Sequence, residues 1–220
     1  MEKYCESVVE KALLYVDQVI LVDDGSIDGT HAILQNIQQR NRDRTHLIVF
    51  PKNQGKGAAL LAGMKYALTS TPFEVLVTLD ADGQHLPSEI PKLVSEIAGE
   101  VNFAIGCRQF NQMPFRSRFA NTLISFFLHR LFPEAPHDNQ SGFRAFSRTF
   151  TSEIVDRVTG CRYEMEFRCI LLALHNGYKI ASCPIHTIYL DKNRSSHFAK
   201  FGDSFRILRV FFQYWRSKSI

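Results

Sequence analysis

Along the first half of the chain, short apolar runs alternate with longer stretches whose apolar residues return every three or four positions. The runs at 18–22, 46–50, 74–79 and 102–106 have strand length and are rich in Val, Ile and Leu. Residues 2–16, the segment after Gly29-Thr30, 58–68 and 87–98 carry the helical period instead. This βαβα rhythm predicts an α/β fold, Rossmann-like, with a mostly parallel sheet flanked by helices. Ligands in such sheets bind beyond the carboxyl ends of the strands. Those ends carry Asp23 and Asp24, Lys52 and Asn53, Asp80 and Asp82, and Arg108.

Beyond Arg108 the rhythm changes. Residues 116–132 read as an amphipathic helix crowded with Phe, 137–146 as a polar loop running into a short strand, and 164–175 as a helix. An extended strand at 179–190 and an amphipathic C-terminal helix at 200–218 complete the chain. No low-complexity linker or internal repeat interrupts it, so residues 1–220 are expected to form a single domain.

Composition narrows the class. With 45% hydrophobic and 22% charged residues the chain is that of a folded globular protein. A net charge of only +4 argues against a dedicated nucleic-acid binder. Five cysteines without a Cys-x-x-Cys pair read as reduced thiols in a cytoplasmic protein. The N-terminus has no signal-peptide pattern, and no apolar run reaches the ~20 residues that span a bilayer. A soluble or peripheral protein is expected.

The chemistry concentrates in three segments. In Leu79-Asp80-Ala81-Asp82-Gly83-Gln84-His85, two carboxylates follow a buried strand, the donor type a hard divalent cation needs. Val22-Asp23-Asp24-Gly25-Ser26-Ile27-Asp28-Gly29-Thr30 joins a strand to a helix, and an ordinary capped turn explains Ser26, Asp28 and Thr30 but not the adjacent carboxylates. Asn53-Gln54-Gly55-Lys56-Gly57 lacks the Ser/Thr of a Walker A loop. Small residues opening a helix, with Lys56, still suit a nucleotide diphosphate.

In this order, Asp23-Asp24-Gly-Ser-x-Asp-Gly-Thr, Asn53-x-Gly-x-Gly and Asp80-Ala-Asp82-Gly-Gln84-His85 resemble family 2 glycosyltransferases, and most closely their dolichyl- and polyprenyl-phosphate mannose and glucose synthase branch. Gly106-Cys107-Arg108, the 138–144 segment, Arg162-Tyr163-Glu164-Met165-Glu166 and the 189–198 segment extend the resemblance over about 19–205. It implies a GT-A fold and inverting transfer of a hexose from a nucleotide-diphosphate sugar. It also implies that Asp80, Asp82 and Gln84 hold Mg²⁺ or Mn²⁺, and that Asp23, Asp24, Lys56, Asp80 and Asp82 bind the donor. Asp82, Arg108 and Glu166 are the catalytic candidates.

A polyprenyl-phosphate acceptor is already an anion and needs cations rather than a strong base. Arg108, Arg116, Arg118, Arg144 and Arg194, with Ser195, are the candidates to bind it, although Arg144 can instead brace its own loop. An acceptor hydroxyl would need a base, and Glu164 or Glu166 stands where one belongs, unless the pair caps its helix. In the last helix Phe201, Phe205, Leu208, Phe212 and Trp215 form a stripe that either packs on the domain or lies on anionic lipid. Residues 116–132 and 200–218 are therefore candidate membrane-surface helices on the cytoplasmic face.

The resemblance also marks a departure. The family opens with a strand ahead of its first helix, and this chain starts inside that helix. Loss of a central strand would leave its neighbours' backbone groups unpaired. Either an upstream in-frame extension supplying the strand or a degraded, inactive copy serving as a membrane-associated scaffold is expected.

Overall fold

The computed structural model describes residues 2–108, 115–188 and 202–217; the side chains of 115–120, 123, 203 and 204 are outside that description. The chain opens with α1 (Glu2–Ala12), β1 (Val19–Asp23), α2 (Thr30–Arg40), β2 (Thr45–Val49) and α3 (Lys56–Ser70). It continues through β3 (Val75–Thr78), a 3₁₀ turn at Pro87–Glu89, α4 (Ile90–Ser95) and β4 (Val101–Cys107). The last third holds α5 (Phe115–Leu131), β5 (Arg144–Ser147), α6 (Arg148–Arg157), α7 (Tyr163–His175), β6 (Lys179–Pro184) and α8 (Gly202–Ser217).

Two sheets form instead of one. β1 and β2 pair in parallel, from Val19 opposite Thr45 to Asp23 opposite Val49. The other four strands run in the order β3-β5-β4-β6. β5 is antiparallel to both of its neighbours, and β4 and β6 are parallel. The α/β layering is as expected, with a mixed sheet where β5 inserts. β5 has four residues and no alternation of burial, so no periodic signal marked its direction.

α7 is the pivot of the larger core. Met165, Phe167 and every residue from Cys169 to Leu174 are buried, so this helix is apolar nearly all round. It packs with Phe103, Ile105, Phe146 and Phe150 from the sheet and α6. On the other face of the sheet Ile90 and Leu93 of α4 meet Ala104, Phe143, Ala145 and Cys183. A third cluster joins α1, α2 and β1 through Val9, Leu13, Leu21, Leu34 and Ile37.

Three elements differ from the sequence reading. α6 was not anticipated; its start is capped by Ser147, whose hydroxyl accepts from the Phe150 amide at 3.1 Å. The strand expected over 179–190 ends at Pro184, because proline offers no donor to continue the ladder. In α8, Ile207, Val210, Phe211 and Tyr214 face the core, whereas Phe205, Phe212 and Trp215 of the expected stripe are exposed. The helix carries two apolar faces, and the stripe seen in the sequence is the outer one.

The two sheets face each other across one cavity of about 2360 Å³. All of β1 and all of β3 line it, with Val8, Val9 and Ala12 of α1 and Gly63, Met64 and Ala67 of α3. β1 pairs only with β2, and β3 only with β5. Two unpaired strand edges thus border an apolar slot that α1 flanks. An apolar segment of about five residues, the usual strand length, fused ahead of Glu2 through a short turn is expected to enter this slot. The thermal midpoint should then rise by several degrees, at ~2–4 °C per kcal/mol for a chain of this size. An unchanged melting curve would show that the slot does not take a strand.

Candidate active site

The carboxyl end of β3 delivers the Asp80–His85 loop to the mouth of this cavity. Gly83 turns the loop at φ 77°, with the Tyr4 ring packed where a side chain would begin. The Gln84 amide donates to Asp82 Oδ1 at 3.0 Å, and the Gln84 carbonyl accepts from the Ile188 amide at 2.8 Å. An isolated bridge between His85 and Thr187 ties down the far end.

Three elements then converge on one cation. Lys56, the first residue of α3, places Nζ 2.9 Å from each oxygen of Asp80 and 3.2 Å from Glu166 Oε1 in the first turn of α7. The Tyr163 ring lies 5.4 Å from the same ammonium. Burial alone would lower the Lys56 pKa, but Asp80 and then Glu166 reverse this and raise it. Asp80 is held below the ordinary carboxylate value: burial pushes it up, and Lys56 foremost pulls it further down. Asp82 moves the other way, raised by burial and by the Asp80 charge beside it.

Two hard carboxylates in mutual repulsion on one loop fit a divalent cation, which would relieve the strain on Asp82. Among the described residues no three His, Cys, Asp or Glu side chains gather at one point. A cation on Asp80 and Asp82 would therefore complete its shell with neutral or ligand oxygens, such as the Gln84 amide, water or phosphate. That ligand habit is typical of Mg²⁺ and shared by Mn²⁺.

A second ion pair borders the cavity. Arg108, just past β4, makes a two-pronged contact with Asp138, Nε to Oδ2 and Nη2 to Oδ1 both at 2.8 Å, and its own amide adds a bond to Oδ2 at 3.0 Å. Asp138 is fully buried, yet these bonds outweigh burial and keep its pKa low. Asn121 of α5 donates to Asp138 Oδ1 and to the His137 carbonyl. Sequence reasoning quoted Asp138 only as part of a motif and missed its role as the partner of Arg108. Its position directly after a polar-loop His was the one available signal.

Several expected site residues have other work. Arg144 is 1% exposed, and its three guanidinium nitrogens donate to the carbonyls of Ser141, Glu166 and Asn139. It braces the loop against α7, the alternative role the sequence left open, at the wall of the cavity. Asp23 is buried; its carboxylate accepts from the Ser26 amide at 2.9 Å and pairs with His31 at 2.8 Å. It organises the turn while lining the cavity. Asp24 accepts from the amides of Gln54 and Gly55 at 2.6 and 2.8 Å, fixing the loop that carries Lys56 while lining the cavity. Glu164 accepts from the amides of Cys161 and Arg162, the helix-capping role, and only Glu166 joins the site. Arg116 and Arg118 lie in the first turn of α5, without described side chains; Arg194 and Ser195 lie outside the described residues.

Residues 1–155 match the family model described as glycosyl transferase family 2. The UDP-N-acetylglucosamine–dolichyl-phosphate N-acetylglucosaminyltransferase of Methanococcus voltae is 30% identical over 208 residues, covering 86% of this chain and 82% of that protein. The polyprenol monophosphomannose synthase of Mycolicibacterium smegmatis is 32% identical over 177 residues, covering 76% of this chain and 65% of that one. A crystal structure of Mycobacterium tuberculosis glucosyl-3-phosphoglycerate synthase with Mn²⁺ and UDP-glucose aligns with a TM-score of 0.70 at 18% identity. That alignment covers 100% of this chain and 76% of the other, and it shows the shared GT-A fold.

His85 yields a pH dependence. Its imidazole is 5% exposed, and burial, opposed by Asp80 but helped by Arg108, holds its pKa at about 4. The unfolded chain takes up this proton near 6.5 and the folded one only near 4, so the unfolded state binds more protons between those values. Stability is therefore expected to fall as pH drops from 6.5 towards 4. In His85→Gln this limb of a thermal-midpoint series should flatten, and an unchanged slope would assign the loss to other groups.

Proposed function

The chain belongs to glycosyl transferase family 2, and from that premise we propose that it moves one hexose, from a donor of the GDP-mannose or UDP-glucose type, to a polyprenyl or dolichyl phosphate. The observation that carries this reading is the Lys56–Asp80–Glu166 cluster beside Asp82, at the carboxyl end of β3. Asp80 and Asp82, with Gln84, would hold Mg²⁺ or Mn²⁺, which supplies Lewis-acid stabilisation of the diphosphate leaving group. Lys56 is near enough to the same carboxylate to meet the charge that builds on that group. Asp24 sets the loop presenting Lys56 and lines the cavity, where it would meet the nucleoside.

The setting of Glu166 favours a phosphate acceptor. Glu166 is 6% exposed and ion-paired with Lys56, a poor state from which to remove a hydroxyl proton. A phosphate acceptor needs no such removal. It needs cations, and Arg108 borders the cavity, with Arg116, Arg118 and Arg194, and with Ser195, proposed as further contributors. The two similar enzymes bear names with dolichyl-phosphate and polyprenol acceptors, which supports the same choice here.

The lipid reading is supported by the outer face of α8. Phe205, Phe212 and Trp215 are exposed there, and Phe212 meets Phe127 of α5, next to exposed Phe126. No helix among the described residues is long and apolar enough to cross a membrane. These aromatics, with Arg209 and Arg216 on the same helix, suit a helix lying in the interface of the cytoplasmic leaflet.

A second reading rests on Glu166 Oε1, which is buried without a hydrogen-bond partner and 3.2 Å from Lys56 Nζ. If nucleotide binding drew Lys56 away, Glu166 would be freed as a base for a sugar hydroxyl. Turnover of labelled UDP- and GDP-sugars with a polyprenyl phosphate tests both readings. Asp80→Asn and Asp82→Asn should each lower the rate by ~10²-fold or more. Glu166→Gln should cost less than about tenfold with a phosphate acceptor, whereas a base contributes ~10²–10⁴-fold. Flotation with vesicles containing phosphatidylglycerol should recover the protein, and Phe212→Ser with Trp215→Ser should abolish that recovery. Equal recovery of the double variant would remove α8 from the lipid contact.

A further inference from the structure

The loop from Asp138 to Gly142 runs against the Lys56–Asp80 pair. A side chain at Gly142 would begin 2.6 Å from both Asp80 Oδ2 and Lys56 Nζ, so only bare backbone fits there. Three residues earlier stands Asn139, 2% exposed and on the cavity wall. Its main chain is fully engaged: the amide donates to Asn121 Oδ1 at 3.3 Å and the carbonyl accepts from Arg144 Nη2 at 3.2 Å. Its side chain is not. Both Oδ1 and Nδ2 are buried without a hydrogen-bond partner, and so is Nε2 of the neighbouring Gln140, which also lines the cavity.

Native structures seldom keep such groups unless something else satisfies them. Asn121, Arg108 and Arg144 hold the main chain of the loop, which fixes where the Asn139 side chain leaves the cavity wall. The partner it fits has both donor and acceptor character and no charge, because an amide offers one of each. A phosphate has no donor when fully ionised, and its place is with Lys56 and a cation on Asp80. A nucleobase belongs to the Asp24 end of the cavity. The hexose attached to the diphosphate is a neutral group with both donors and acceptors, and it can replace the water that otherwise satisfies such an amide.

We propose that the Asn139 side-chain amide, assisted by Gln140 Nε2, reads the hydroxyls of the transferred sugar and sets which hexose is accepted. This inference rests on the transferase reading above. Asn139 touches substrate but does no bond-making; it is a specificity-determining residue.

Calorimetric titration with Mn²⁺ present, using UDP, UDP-glucose, UDP-N-acetylglucosamine, GDP and GDP-mannose, separates the two. For the base that binds, the sugar-bearing nucleotide should bind more tightly than the bare diphosphate, by roughly tenfold, the worth of one or two good hydrogen bonds. Asn139→Ala should erase that difference and leave the diphosphate affinity within about twofold, a pattern that general loosening of the fold does not produce. Gln140→Ala should reduce it in part. If Asn139→Ala fails to fold, deoxy-sugar nucleotides on the unaltered protein take its place, and at least one should lose most of the increment. A variant that keeps the sugar increment, or a set of deoxy donors that all bind like the parent, overturns the inference. Absence of binding by any nucleotide instead removes the transferase reading, and this inference with it.

Discussion

The ammonium of Lys56 is the point on which the arrangement depends. It joins the end of β3 to the start of α3 and the first turn of α7 through two carboxylates. Its charge is the largest of those that hold Asp80 below the ordinary carboxylate value, and through it the three elements share a fixed centre. The pair is not strong evidence for stability as such, because desolvation of buried charges offsets most of the attraction. Its value lies in position. It fixes a negatively charged Asp80 next to Asp82, ready for a cation, and it holds a positive charge where a diphosphate would lie.

A second layer keeps that centre in place. Arg144 and Arg108 are both buried or nearly so, and they solve the problem of a buried guanidinium differently. Arg144 spends its donors on three carbonyls from one loop and one helix. Arg108 uses a carboxylate, Asp138, which Asn121 of α5 also holds. The result is a rigid 138–142 loop pressed against the ion pair, with α5 linked to it by hydrogen bonds. An aromatic-faced helix and the polar site are therefore coupled through named contacts, not merely adjacent.

Much of this was legible in the sequence because strand ends and carboxylates are local signals. The βαβα rhythm placed Asp23, Asp24, Lys52, Asn53, Asp80, Asp82 and Arg108 at strand ends, and the structure brings all of them but Lys52 to one cavity, where Lys56 joins them. The failures share a cause: long-range partners decide roles that residue type leaves open. Arg144 reads as a phosphate binder until the carbonyls around it are known, and Asp23 as a ligand until His31 is found beside it. Asp138 and Asn139 were legible only as members of a motif, since a polar loop looks the same whether its side chains face water or a site. The outer stripe of α8 was seen and its direction was not, because a helix with two apolar faces gives no clue which one the domain takes.

The cavity between the sheets ties these observations to one constraint. The Asp24 loop and Lys56 belong to the β1 side, and Asp80 with its loop to the β3 side. β1 and β3 share no backbone hydrogen bond, so their ladders do not set the distance between the two halves of the nucleotide site. It is set by the packing of α3 on α6 and α7, of α1 on the 3₁₀ turn, and by the Lys56–Asp80 contact. A strand in the slot would pair both edges, adding a continuous ladder to that side-chain packing. The affinity for a nucleotide and the rigidity of the slot are then two readings of one variable. Tightening the slot should sharpen the site even though no residue of the added strand touches the cation, the diphosphate or the sugar.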